Sequence, residues 1–334
     1  MGIFFIYDVA LEEFPPDIGL KHAIQAEKSG FDAISASDHF HPWMHTSGHG
    51  AFAWIWITAV AERTNRVRVG TLVTAPILRY HPAVVAQAFA TLDYLYPGRI
   101  FLGVGAGEAI NEAPLGYKWP SPRERIERLE EALKIIGSLW EKEFVSFKGK
   151  YFTLKGANLY TKPRKKIPLY VAASGVMAAR LAGKYGDGIV VSSTTAKKRG
   201  SELLRAFYEA AKNANKSPEN MDKIVLIVTS FDEDFDRALK GIRYWASTML
   251  RFVFKYDISD PREIEEYASL IGDEQIASRR YVVTSPSEYF TIIEEFIRLG
   301  FNGIAILNSS PEPEKLIDVF GKEVIPYFRE EAKD

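Results

Sequence analysis

The chain contains no cysteine. That absence removes disulfides, thiolate metal sites and a cysteine nucleophile together, and it fits a reducing or hot interior. Net charge is also lacking, at −1 from 42 Lys and Arg against 43 Asp and Glu. Without a concentrated positive field, neither a nucleic acid nor an anionic membrane is an expected partner, which leaves a small molecule. No apolar run approaches the roughly 20 residues of a membrane span. The start, Met1-Gly2-Ile3-Phe4-Phe5-Ile6, has no basic region and no cleavage site, and Ile6 stands where a myristoylation signal needs Ser or Thr. A cytoplasmic protein is therefore expected. Histidine is scarce, at six in the whole chain, yet His39, His41, His45 and His49 crowd one short stretch.

What is present is an ordinary apolar share, 47%, over 334 residues, enough for a sizeable core. Short continuous apolar runs alternate with stretches of helical period. Strands are expected at 3–7, 31–35, 67–73, 100–104, 169–172, 188–191, 224–229 and 303–307. Helices begin at Pro82 and at two capping boxes, Ser121-Pro122-Arg123-Glu124 and Ser285-Pro286-Ser287-Glu288. Runs apolar at every position mean strands buried on both faces, hence a parallel sheet. Eight βα units predict a closed (β/α)₈ TIM barrel, a fold that runs from roughly 200 to more than 400 residues as one unit. One domain covering 1–334 is expected, with insertions near 105–120, 144–168 and 231–278. The second of these reads as a small hairpin, and the third as helical fragments without a strand.

A TIM barrel places its chemistry at the C-terminal ends of its strands. Glu12 follows the first strand. Asp38, His39 and Trp43 follow the second, Leu72 to Ala75 the third, and Glu108 and Asn111 the fourth. Ser174-Gly175, residues 192–198 and Asn308 follow later strands. Taken singly, each has a bland reading: an Asp-His pair can be a turn, Trp43, Trp54 and Trp56 can be core, and Gly103, Gly105 and Gly107 can mark close packing. Their convergence on one mouth makes them candidates. Zinc on His39 and His41 would need further histidines at later strand ends, and His22 and His81 end none, so no metal is expected. A dinucleotide fingerprint at Gly103-Val104-Gly105-Ala106-Gly107 fails because its third glycine falls on Glu108.

Ser37-Asp38-His39-Phe40-His41-Pro42-Trp43, with residues 58–64, 79–91 and 101–112, resembles the deazaflavin-dependent glucose-6-phosphate dehydrogenases of the bacterial luciferase-like superfamily. The likeness recurs in Gly186-Asp187-Gly188 and Glu274-Gln275-Ile276-Ala277. It implies a luciferase-like barrel, usually a homodimer, with coenzyme F420 as hydride acceptor. Alcohol oxidation needs a base for the hydroxyl proton, and the resemblance gives that part to His39, with Trp43 stabilising the imidazolium. It makes Glu108 the donor of a proton to the reduced ring, with Glu12 sharing or orienting it. Asp38, Leu72, Val73, Asn111, Ala173, Ser174 and Gly175 match coenzyme-contact positions, and Leu72-Val73 matches a non-proline cis peptide.

For the substrate, the resemblance implies a sugar 6-phosphate, with hydride leaving C1 of glucose 6-phosphate. Two of the family's three phosphate-binding cations match Lys255 and Arg279. The third aligns with Thr195, and Lys197 and Lys198 are near enough to replace it, or belong to a solvated basic loop. A small secondary alcohol is the alternative substrate. A monooxygenase using FMN, or a non-catalytic cofactor carrier, is the alternative function.

Overall fold

The computed structural model describes residues 2–330. Its strands are β1 (Phe4–Val9), β2 (Ala33–Ala36), β3 (Arg68–Thr74), β4 (Ile100–Val104), β5 (Val145–Lys148), β6 (Thr153–Ala157), β7 (Leu169–Ala172), β8 (Gly188–Ser192), β9 (Asp222–Phe231), β10 (Tyr281–Val283) and β11 (Gly303–Asn308). β1, β2, β3, β4, β7, β8, β9 and β11 pair in that order, all parallel, and β11 returns to β1 to close the barrel. These are the strands expected from the sequence. Inside, Ile6, Ala33, Leu72, Phe101, Tyr170, Val190, Ile224 and Ala305 pack together, while Phe5, Tyr7 and Val9 of β1 face the surrounding helices. Large and small residues interdigitate. A Cβ on Gly70 would lie 2.2 Å from the Phe101 carbonyl oxygen, so only glycine lets β3 pass that residue.

The helix Pro122–Glu141 shows how the outer layer is specified. Leu129, Ala132, Leu133, Ile135, Ile136 and Leu139 form its buried stripe. Each buried Leu or Ile contributes roughly 1.5–3 kcal/mol. Ser121 caps it through the Glu124 amide, but the Glu124 carboxylate turns to Arg128 at 2.8 Å instead of closing the capping box. The box at Ser285 is complete.

Residues 144–168 carry the antiparallel pair β5–β6, separate from the barrel sheet. From 232 to 278 the chain carries short helices and no strand, and this excursion lies over the mouth. The short β10 was not expected. β9 is longer than β8: β8 pairs with Asp222–Leu226, and β10 pairs with Thr229–Phe231 beyond it. An open strand edge is thereby covered.

Candidate active site

β2 ends at Ala36, and the next residues turn into the mouth. The Ser37 hydroxyl donates to Glu12 Oε2 at 2.6 Å. His39 Nδ1 lies 3.1 Å from the His41 carbonyl, which only accepts, so the network places a proton on Nδ1. Nε2 then faces two carboxylates, Glu12 Oε1 at 3.5 Å and Glu108 Oε2 at 3.2 Å. Burial alone lowers the imidazole pKa, but the Glu12 charge and the Glu108 hydrogen bond and charge outweigh it and push it up to about 9. The two acids differ in exposure, with side chains 1% exposed for Glu12 and 30% for Glu108. One carboxylate is sealed beneath the ring and the other opens on the mouth. Trp43 is buried, with its ring centroid 5.4 Å from that of His39.

Asp38 is buried beside this group, and burial raises its pKa against the pull of Arg79 and Thr74. Thr74 Oγ1 donates to Oδ2 at 2.9 Å, and Arg79 and Tyr80 reach Oδ1 at 3.1 and 3.2 Å. Its carboxylate is thus engaged by protein groups, and it braces the turn that carries His39. Arg79 also donates its backbone N–H to the buried Glu112 at 2.9 Å. Asn111 Oδ1 accepts the Phe40 amide at 2.8 Å, tying the loop after β4 to the loop after β2. The Leu72–Val73 peptide bond is cis. Ala173 is buried at the end of β7, Ser174 is exposed, and Gly175 opens the helix Val176–Tyr185 without a side-chain cap.

The excursion roofs the mouth. Trp245, Val253 and Ile264 pack with Trp43, Ala10, Ile110 and Leu307. Phe254 lies 5.2 Å from Trp43, ring to ring. Tyr244 donates to the Glu12 carbonyl, and Trp245 Nε1 donates to Glu13 Oε2 at 2.9 Å. Glu265 accepts the amides of His45 and Thr46 at 2.9 and 2.8 Å.

The basic residues are more scattered. Lys255 is exposed on the excursion and Arg279 is exposed just past its end, Lys255 with its ammonium 5.1 Å from the Tyr256 ring centre. Lys197 pairs with Glu295 at 2.7 Å and lies over the Tyr281 ring. Thr195 belongs to the first turn of the helix Ser193–Asn213, held by Ser192, and Lys198 is exposed on the same helix. Sequence reasoning assigned no part to Arg79, Glu13, Trp245 or Phe254. Only Glu13 carried a visible hint, as a second acid beside Glu12 at a strand end.

The luciferase-like monooxygenase family model matches residues 2–303. The F420-dependent glucose-6-phosphate dehydrogenase of Microbacterium testaceum is 39% identical over 326 residues, 97% of either chain. That of Rhodococcus erythropolis is 40% identical over the same lengths. The solved structure of an F420-dependent secondary alcohol dehydrogenase, in complex with an F420-acetone adduct, is 41% identical and superimposes with a TM-score of 0.94 over 98% of this chain and 100% of that one. The F420-dependent tetrahydromethanopterin reductase of Methanopyrus kandleri, 22% identical with a TM-score of 0.77 over 98% of this chain and 100% of that one, shares the fold.

Proposed function

The chain belongs to the luciferase-like monooxygenase family, and on that premise we propose that it is an F420-dependent dehydrogenase acting on an alcohol. The observation that carries the reading is the His39 imidazole, with Nε2 between a sealed and an open carboxylate at the barrel mouth. The residues around the mouth fit the coenzyme. A Cβ on Gly175 would meet nothing within 4 Å. The uncapped amides of the helix that follows suit an anionic group. When bound, coenzyme F420 supplies a two-electron acceptor for the hydride that leaves the carbinol carbon.

The protein supplies the proton chemistry. Near neutral pH the proton on His39 Nε2 must leave before the ring can act as a base. Once free, Nε2 accepts the alcohol proton, and Glu108 Oε2, 3.2 Å away on the mouth side, relays a proton from the ring to the reduced coenzyme. Glu12, sealed against the ring with Oε1 3.5 Å from Nε2, stabilises the imidazolium that forms. Trp43 shields the pair from water, and Asp38, Leu72, Val73, Asn111, Ala173, Ser174 and Gly175 form the coenzyme seat.

A sugar 6-phosphate, with hydride leaving C1, is the first substrate reading. It rests on Lys255 and Arg279 as phosphate ligands. A small secondary alcohol is the second, favoured by two observations: Lys197 is engaged by Glu295, and the roof over Trp43 is built of Phe254, Val253 and Trp245. The test is turnover of coenzyme F420 with glucose 6-phosphate and with isopropanol. Reduction by neither, with the coenzyme bound, overturns the dehydrogenase.

The chain is further proposed to work as a single barrel domain with insertions, as a cytoplasmic homodimer. No helix among the described residues is long and apolar enough to cross a membrane. Exposed Phe52, Ile55 and Val84 support an apolar subunit contact. Light scattering on a sizing column decides the dimer, and a monomeric mass overturns it.

A further inference from the structure

Glu13 follows the sealed acid and points elsewhere. Its Oε2 accepts the Trp245 indole N–H at 2.9 Å, and its Oε1 lies 2.8 Å from Ser309 Oγ. Ser309 Oγ is also 2.9 Å from the Gly241 carbonyl, at the end of the helix Phe235–Ile242. A serine hydroxyl has one hydrogen, and a backbone carbonyl can only accept. If Glu13 were a carboxylate, one hydrogen would have to serve two acceptors, and one oxygen pair would stand closer than 3 Å with nothing between. A hydrogen on Glu13 resolves the count. Trp245 donates to the acid, the acid donates to Ser309, and Ser309 donates to Gly241.

The chain of bonds joins three parts of the molecule: the loop after β1, the end of β11, and the excursion at Gly241 and Trp245. Gly241 is suited to the approach, since a Cβ there would sit 2.4 Å from the Ser309 carbonyl oxygen. The groups facing Glu13 are Glu12 beside it in the chain, Tyr7 of β1 and Tyr244 of the excursion. No ion pair to Glu13 occurs among the described residues. Burial pushes its carboxyl up to about 8, against the smaller downward pull of the Trp245 and Ser309 hydrogen bonds, and the Glu12 charge adds a little to the rise.

We propose that Glu13 is a positioning residue, a neutral acid that latches Trp245 and residues 235–254 over the substrate pocket, and that its ionisation loosens that roof. Once Glu13 is a carboxylate, Ser309 turns its hydrogen toward the charge and Gly241 loses a donor. The roof is therefore held most firmly at acid pH, where Glu13 is neutral in either state, and its hold is lost as pH rises through about 8. Only the kinetic consequence rests on the alcohol reading of the pocket.

The test is hydrogen exchange of peptides covering 241–254, corrected for the intrinsic pH dependence, with peptides of β4 as the internal reference. Wild type should lose roughly tenfold in protection between about pH 7 and pH 9, the factor by which a group titrating near 8 is depleted of protons over that interval. Glu13→Gln keeps an N–H donor and a carbonyl acceptor, so its protection should stay flat. Ser309→Ala, which breaks the chain at its centre, should be less protected at both pH values. Identical pH dependence in wild type and Glu13→Gln, or none in wild type, overturns the latch. In parallel, the KM for the alcohol should rise across the same interval in wild type and not in Glu13→Gln. The expected exchange with an unmoved KM supports the latch and overturns the substrate reading of the pocket.

Discussion

His39 Nε2 stands 3.2 Å from Glu108 Oε2, joining a ring that is 11% exposed to a carboxylate that is 30% exposed. The contact links a base enclosed by protein to an acid in touch with the mouth. It also sets the pH behaviour of the site. With the imidazole pKa raised to about 9, the ring is charged at neutral pH. At saturating substrate, alcohol oxidation should rise with pH and level off above about 9, while the reverse reduction should fall over the same range. The stability sign follows from the same shift. The folded pKa exceeds the free value of 6.5, so the imidazolium contributes stability fully below about 6.5 and loses it as pH rises through about 9. Initial rates in both directions across pH 6 to 10 check this, and an oxidation rate that is flat over the range would remove His39 as the base.

The two acids should separate on mutation. Glu12→Gln removes the largest influence raising the His39 pKa, so the plateau should move to lower pH, visible by NMR titration of the imidazole. Glu108→Gln should keep coenzyme binding and lower turnover by about 10² to 10⁴-fold, the usual worth of a proton-transfer group. A change confined to KM would make Glu108 a binding residue only.

The barrel was legible because its strands are buried on both faces. Ile100, Phe101, Leu102, Gly103 and Val104 leave no polar side to expose, and such a run predicts a parallel strand between layers. The three-residue β10 was not legible, since its strand state depends on the spare edge of β9 rather than on local pattern. In the site, His39 and Glu108 could be placed because each follows a strand end. The bond from Trp245 to Glu13 spans 232 residues, and no local spacing encodes it. Arg79 lies 41 residues from Asp38, and its part becomes visible only when the loops after β2 and β3 meet.

The substrate reading turns on Lys255 and Arg279. If both grip a phosphate, each charge-assisted hydrogen bond is worth roughly 1.5–3 kcal/mol, so either alanine variant should raise the KM for glucose 6-phosphate by about 10 to 150-fold. Isopropanol should be indifferent to both changes. Lys197→Ala, whose ammonium is held by Glu295, should affect neither substrate. A wild type that prefers isopropanol, with neither Lys255→Ala nor Arg279→Ala felt, makes the chain a secondary alcohol dehydrogenase.

Arg79 supports the last prediction. Its side chain is 5% exposed and stands between Asp38, 3.1 Å away and 2% exposed, and Glu112, 3.6 Å away and fully buried. Arg79→Ala would leave two buried acids without their cation, a change that costs about 3–5 kcal/mol when one partner of a buried pair is removed. The loss should depend on pH. Burial already raises the Glu112 pKa to about 7 and raises that of Asp38, in both cases against the pull of Arg79. Without the arginine both should rise further. A carboxyl whose folded pKa is raised is destabilising once it must ionise, so the loss should be largest above about pH 7 and shrink as pH falls, where both acids are neutral in the folded protein with or without the arginine. Urea unfolding of wild type and Arg79→Ala at about pH 5 and pH 8 measures the difference, provided the urea slope is unchanged. The guanidinium also lies 4.7 Å from the Tyr80 ring centre, a contact that does not titrate in this range. A loss of equal size at both pH values would therefore assign the role of Arg79 to that packing and not to the charges of Asp38 and Glu112.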